Sequence, residues 1–338
     1  MEKQKLILIV GPTASGKTAA SIYAAIKLNG EIVSADSIQV YKGMDIGSAK
    51  PTMQERQGIP HHLMDAIDIN SPKFSVAEFR KMAGEAIEDI AGRGKQPIVV
   101  GGTGLYINSL VFPLNFTEVQ SDEKLRSELS EIEERQGRGT LHAMLQEEDP
   151  ESAARLHPND TKRIIRALEV LRLTGKPIDA HGGDFSNKAG AEIPYNPVMI
   201  GLTMPRAMLY DRINRRVDIM LEQGLVEEAR AIYDRNYDRS LPALQGLGYK
   251  QLFRVFDGEY TLSEGIEAIK QETRRFAKRQ LTWFRRDRRI TWLDVSTFES
   301  AEALGEEVCR IYRSGCLAAC RRAYDEYKLL LFHITVPA

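Results

Sequence analysis

The chain has 338 residues, 43% of them hydrophobic and 28% charged, with a formal net charge of −1. Such a length holds one large or two modest domains with a sizeable core, and the neutral balance excludes a polyanionic partner gripped by bulk charge, leaving local basic clusters to do so. The three cysteines, Cys309, Cys316 and Cys320, crowd the C-terminus without a Cys-x-x-Cys pair, which argues against a disulfide scaffold and a zinc site and for free cytosolic thiols.

The opening "MEKQKLILIV" places lysines before an apolar run, but the run is too short for a signal peptide. No other stretch approaches the length needed to span a bilayer. A soluble, cytoplasmic, monomeric protein without membrane contact is expected. "KLILIV" (5–10) reads as a buried parallel strand, followed by "EIVSAD" (31–36) and "QPIVVGG" (96–102), each ending in glycine or acid. Between the last two, "SVAEFRKMAGEAIEDIAGRG" (75–94) is a helix: Ser75 and Glu78 have capping-box spacing, apolar residues follow a 3.6 period, and Gly92 or Gly94 ends it.

From about Pro113 the sequence is charged, rich in helix formers and without a clear strand, until "NPVMIGLTMP" (196–205) and "RITWLDVS" (289–296) again read as strands. The glycine- and proline-punctuated "HGGDFSNKAGAEIPYNP" (181–197) reads as the return linker. The expected architecture is therefore α/β, a P-loop NTPase-like parallel sheet flanked by helices, with an inserted all-helical domain. Residues 1–112 plus 196–310 would form the core, 113–195 the insertion, and 311–338 a tail that does not fit the preceding pattern.

Gly11-Pro12-Thr13-Ala14-Ser15-Gly16-Lys17-Thr18 matches G-x-x-x-x-G-K-[ST] between a strand and a helix. Backbone N–H groups around Ala14–Lys17 can wrap a diphosphate at the positive end of a helix, Lys17 adds a mobile charge, and the Thr18 hydroxyl is placed to ligate Mg²⁺. The motif names a phosphate binder and no reaction. The polar ends of the neighbouring strands narrow the choice, because ligands of such sheets sit at the carboxyl ends of strands. Asp36 ends the second strand and is expected to face the same crevice as Lys17. Thr103 follows the third, between glycines that let backbone approach a ligand.

Three basic clusters suggest a nucleic-acid partner. "NDTKRIIRALEVLRLTG" (159–175) starts a helix with Lys162, Arg163 and Arg166 at the end where the helix dipole disfavours cations, by roughly 0.3–1 kcal/mol each. An external anion would explain them, as would pairing with Asp149 or Glu151. In "PRAMLYDRINRRVDIMLEQGLVEEA" (205–229), Arg212 and Arg216 lie one turn apart and can converge on one phosphate. "RRFAKRQLTWFRRDRR" (274–289) mixes arginine with Phe276, Trp283 and Phe284, which suits RNA or a core. The adjacent histidines of "PHHLMD" (60–65) would point to opposite sides, so joint metal ligation is not expected.

Taken together, "GPTASGKT", "SADSIQVYKGMDIGSAKP", "PHHLMD", "VVGGTGLY", "HPNDTKRIIRALEV", "GLGYKQ" and "AKRQLTWFRRD" resemble the tRNA dimethylallyltransferases, also called tRNA isopentenyltransferases, in order from about residue 6 to 294. The resemblance implies transfer of a dimethylallyl group from dimethylallyl diphosphate to N6 of adenine 37, next to the anticodon, in tRNAs reading codons that start with U. It implies Asp36 as general base, Thr103 contacting the adenine or the diphosphate, and Gly16, Lys17, Thr18 with Mg²⁺, and an arginine of the "RINRRV" run on the departing diphosphate. Arg216 is the arginine chosen, with Arg212 and Arg215 open. It further implies tRNA contacts at Asp36, Ser37, Ile38, Gln39 and Thr103, at Arg126, and at Lys162, Arg163, Ile164, Ile165 and Arg166, with the insertion gripping the anticodon stem-loop. Such proteins are widely described as nucleotide- or ATP-binding on account of the loop, although prenyl transfer does not call for ATP. The alternatives are a nucleoside or small-molecule kinase, and an RNA-binding NTPase switch in which Asp36 and Thr103 would have no chemical task.

Overall fold

The computed structural model describes residues 3–71, 74–112, 122–177 and 193–314. The chain divides into two compact units, one of Met1–Pro113 with Lys188–Ala338 and one of Leu114–Asn187.

The larger unit is built on six parallel strands in the order β3-β2-β4-β1-β5-β6. These are β1 (Gln4–Val10), β2 (Gly30–Ser34), β3 (His61–His62), β4 (Gln96–Gly101), β5 (Tyr195–Thr203) and β6 (Thr291–Asp294). β1 lies inside the sheet, paired to β4 and β5, and Leu6–Val10 are wholly shielded from solvent. That is why its sequence is a continuous apolar run instead of an alternating one. Each such side chain contributes roughly 1.5–3 kcal/mol of burial. The five expected strands are present, with ends shifted by up to two residues. The short edge strand β3 settles whether the adjacent histidines lie on a strand or an extended loop: two residues carry no period of their own, and the strand exists because Ile32 and Val33 of β2 pair with it.

Helix α1 (Lys17–Lys27) and the helical residues 301–314 pack on one core with β1, β2, β4 and β5, and Cys309 is buried there. α2 (Met53–Arg56) is a single turn. α3 (Val76–Gly92) forms as its sequence demands: Ser75 Oγ accepts from Glu78 N–H at 3.2 Å, the Glu78 carboxylate accepts from Ser75 N–H at 2.6 Å, and Phe79, Ala83, Ile87 and Ile90 are buried. α4 (Gly104–Val111) follows β4. A second core joins Val40, Tyr41 and Met44 to α9 (Arg206–Glu222), α10 (Leu225–Tyr233), α11 (Tyr249–Phe256) and α12 (Leu262–Phe284).

The smaller unit holds α5 (Glu123–Gln136), α6 (Thr140–Glu148), α7 (Pro150–Arg155) and α8 (Thr161–Thr174) around Leu129, Leu141, Leu145, Ile164 and Leu168. Its bounds, 114–187, stand beside the 113–195 expected from composition. The return linker falls mostly outside the described residues, as do Cys316, Cys320 and the tail beyond residue 314. Residues 311–314, assigned above to the tail, belong to the last helix. Among the described residues no helix is long and apolar enough to cross a membrane.

Candidate active site

An open cleft of about 1490 Å³ lies at the carboxyl ends of the strands in the larger unit. It is larger than the few hundred to about 1,000 Å³ of an ordinary small-molecule site. Of the residues singled out above, Thr13–Thr18, Asp36, Gln39, Arg212, Arg215 and Arg216 line it; Gly11, Pro12, Ser37, Ile38 and Thr103 do not.

The phosphate loop takes its shape from two positions. Gly16 caps α1 with φ +90°, a conformation L side chains rarely adopt, and this turns the loop N–H groups toward the cleft. Ala14 is also left-handed, at φ 61°. Lys17 Nζ donates to the carbonyls of Gly11 at 3.0 Å and Pro12 at 2.6 Å. Burial, then repulsion from Arg216, lowers its pKa to about 7 against a smaller opposing pull from Asp36.

Among the three arginines left open, the geometry separates Arg216. It is half-buried, donates to Ala49 O at 3.4 Å, and is electrostatically coupled to both Lys17 and Asp36. Burial lowers its pKa while Asp36 opposes the shift. Arg212 is exposed at the cleft wall, and Arg215 is exposed and paired with Asp211 at 2.9 Å.

Asp36 sits two residues past β2. Its Oδ1 accepts from Ile38 N–H at 2.9 Å and Gln39 N–H at 3.3 Å, a turn that fixes the carboxylate and, among the described residues, leaves Oδ2 without a hydrogen bond. Thr103 begins α4; its Oγ1 accepts from Ser37 N–H at 3.1 Å and its own N–H donates to Ala35 O at 3.2 Å. The glycines around it serve a different purpose from the one expected. A Cβ on Gly102 would lie 2.1 Å from Gln280 Nε2, and one on Gly104 2.1 Å from the Trp283 ring. The small residues therefore admit α12, and not a ligand, to the loop. Trp283 is half-buried and Phe284 wholly buried, so the core reading of these two aromatics prevails.

Gln39 is fully engaged: its Oε1 accepts from Ser34 Oγ at 3.0 Å, and its Nε2 donates to Ser48 O and Ala49 O at 3.2 Å each. Those carbonyls belong to a loop that the sequence reading overlooked. Glu228 holds it by accepting from the N–H groups of Asp45 and Ile46 at 2.9 Å and Gly47 at 3.0 Å, with Tyr249 Oη at 2.6 Å. Lys50 closes the far end on Tyr41 O, Asp45 and Asp65. Gly47 in "MDIGSAKP" and Tyr249 in "GLGYKQ" were visible signals without a visible partner.

In the smaller unit, considered by itself, Glu169 is fully buried. It receives Arg126 at 2.8 and 2.9 Å and Arg166 at 2.6 Å, and also accepts from Asp122 N–H at 2.8 Å. Burial works to raise its pKa, but the two guanidinium groups and the N–H outweigh it and hold the carboxyl below its ordinary value. The carboxylate that Arg166 meets is thus Glu169, and not the Asp149 or Glu151 of the alternative to an external anion. Asp149 instead caps α7 by accepting from Ser152 N–H at 3.0 Å. Asp160 caps α8 in position only; its carboxylate meets Arg163 at 3.3 Å. Lys162 and Arg163 are exposed, whereas Ile164 and Ile165 are core residues, because the helix's apolar stripe must face the other helices. Their side chains are thus turned away from any partner at the surface.

His62 Nε2 lies 2.7 Å from Glu31, which also binds Arg93 and Lys95, and His61 bonds Ile59 O at 2.8 Å. Among the described residues no group of three or more His, Cys, Asp or Glu could hold a metal. Mg²⁺ needs no such cage when a diphosphate supplies most of its oxygens, and the half-buried Thr18 hydroxyl in the cleft is a hard oxygen donor that fits it.

A parallel sheet with a phosphate loop after a central strand, and an acid and a half-buried arginine in the same cleft, fits an enzyme acting on a phosphorylated substrate. The chain belongs to the IPP transferase family: the family's model, "IPP transferase", matches residues 39–287. It is 48% identical over 306 residues to the tRNA dimethylallyltransferase of Bacillus subtilis, covering 90% of this chain and 96% of that one. It is 49% identical over 311 residues to that of Symbiobacterium thermophilum, covering 92% and 96%. The crystal structure of a tRNA isopentenylpyrophosphate transferase from Bacillus halodurans aligns with TM-score 0.69 at 44% identity, over 94% of this chain and 99% of that one. A eukaryotic dimethylallyltransferase acting on tRNA aligns with TM-score 0.72 at 33% identity, over 86% and 74%.

Proposed function

We propose that this chain transfers the dimethylallyl group of dimethylallyl diphosphate to N6 of adenine 37 in tRNAs reading U-starting codons, releasing diphosphate. The observation that carries this reading is the shared cleft of Lys17, Arg216 and Asp36. Asp36 follows β2 and the phosphate loop follows β1, with β4 between them. Two strand spacings, about 10 Å, separate the strands that these loops follow, a span that suits a diphosphate, the reacting carbon and an amine.

In this scheme the phosphate loop, Lys17 and Arg216 bind the diphosphate and favour the charge that gathers on it as the allylic C–O bond breaks. The N6 lone pair forms the new C–N bond, and Asp36 Oδ2 accepts the proton that the nitrogen sheds. Mg²⁺, held by Thr18 and the substrate's own oxygens, would supply further neutralisation of the leaving group. The adenine must leave its stack to enter, at a cost of a few kcal/mol, and a cleft of about 1490 Å³ has room for both substrates. Lys162 and Arg163 are among the exposed cations of the smaller unit and stand at the start of α8, suited to phosphates of an anticodon stem-loop. Arg126 and Arg166, oriented by Glu169, add to them.

The test is incubation with unmodified tRNA, Mg²⁺ and either labelled dimethylallyl diphosphate or labelled ATP. Label entering RNA from the prenyl donor alone is expected. Phosphate released from ATP with no change to the RNA would overturn the scheme and favour the kinase.

A further inference from the structure

The side chain of Gln280 has no place in the scheme above, yet its amide is the link between two loops of the cleft. It projects from α12 and is only 6% exposed. Its Oε1 accepts from Thr13 N–H at 2.9 Å, in the phosphate loop, and its Nε2 donates to Gly102 O at 3.0 Å, in the loop after β4. Only this orientation of the amide works, since a flip would set N–H against N–H and O against O. Gly102 leaves no space for a side chain at this contact.

The connection continues to the Asp36 turn. Thr103, next to Gly102, accepts from Ser37 N–H and donates to Ala35 O, so both neighbours of Asp36 are tied to it. Three strand-end loops, after β1, β4 and β2, are thereby joined through one buried amide on a 23-residue helix. The outer two carry opposite sides of the reaction: the phosphate loop holds the electrophile and the Asp36 turn receives the proton from the nucleophile.

We propose that Gln280 is a positioning residue that sets the distance between the diphosphate cradle and the Asp36 turn, holding the allylic carbon in line with the incoming amine. The inference rests on the function proposed above. Both polar atoms of its buried amide are held by the protein, so its loss should leave both substrates bound but misplaced, and misplacement by about 1 Å costs on the order of 100-fold in rate.

Gln280→Met removes both hydrogen bonds at similar volume. Gln280→Glu keeps the acceptor for Thr13 but sets a carboxylate oxygen against Gly102 O. For both, kcat should fall about 10- to 100-fold, with KM for dimethylallyl diphosphate and for tRNA each within about threefold of the unaltered enzyme. Diphosphate released per prenylated RNA should rise as water takes the place of the amine, forming the five-carbon alcohol. Relative to the unaltered enzyme at each pH, Gln280→Glu should recover as pH falls, because a protonated carboxyl can again donate to Gly102 O; Gln280→Met should not. A merely structural role would lower thermal stability without altering product partition or the relative pH profile. Variants that match an active unaltered enzyme in kcat and partition, or lose activity through KM alone, overturn the inference and leave the function standing. An unaltered enzyme that labels no RNA overturns both.

Discussion

Lys17 provides a direct reading of how the cleft binds an anion. Burial and Arg216 bring its pKa to about 7, so the free enzyme is roughly half charged at neutral pH and about 10% charged at pH 8. A diphosphate beside the amine favours the charged form and raises the pKa again. Binding above pH 7 must therefore take up a proton, about 0.75 per site at pH 7.5 and about 0.9 at pH 8. The affinity should fall about fivefold between pH 7 and 8, and approach a tenfold loss, or ~1.4 kcal/mol, per pH unit beyond that. The sign follows from the lowered pKa: the proton is present below 7 and must be fetched above it. Saturated isopentyl diphosphate, which has no alkene to stabilise transfer, is a suitable probe between pH 7.5 and 9. Titration calorimetry in buffers of different ionisation enthalpy counts the protons. Lys17→Met should bind weakly with no uptake and a flat profile. Proton-independent binding by the unaltered enzyme would refute the coupling of Lys17 to the diphosphate.

Two further substitutions probe separate parts. Asp36→Asn keeps the oxygen that accepts from Ile38 and Gln39 but cannot take a proton, so kcat should drop about 10²- to 10⁴-fold with tRNA affinity nearly unchanged; a large loss of RNA binding would remove Asp36 from the role of base. Glu169→Ala removes the carboxylate that Arg126 and Arg166 share; their side chains are 26% and 32% exposed, and partial hydration limits the expected destabilisation to about 1–3 kcal/mol. Amide exchange in α5 and α8 of the full chain should report it. Because Glu169 is held below the ordinary carboxylate pKa, its contribution is present above that ordinary value and lost as pH falls through the lowered one; a deficit unchanged by acidification would contradict this origin.

Local features were legible wherever local chemistry decides. The capping box at Ser75, the apolar run of β1 and the phosphate loop each hold their cause within a few residues. The order of motifs was enough to place Asp36 and Lys17 on one crevice at the carboxyl ends of the strands. The histidine pair reads equally as strand or extended loop because two residues carry no period, and pairing with β2 alone makes them a strand. Gly102 and Gly104 were recognised as sites of close approach, but what approaches is α12, about 180 residues further along.

The sequence by itself determined the α/β class, the phosphate-binding character of Gly11–Thr18 and the family resemblance, since these rest on spacing along one chain. Only the tertiary structure separated Arg216 from Arg212 and Arg215, paired Arg166 with Glu169 instead of Asp149 or Glu151, and exposed the roles of Glu228 and Gln280. The physical reason is the same in each case. A charge or an amide is defined by what it faces after burial, and residues far apart in sequence supply that surrounding.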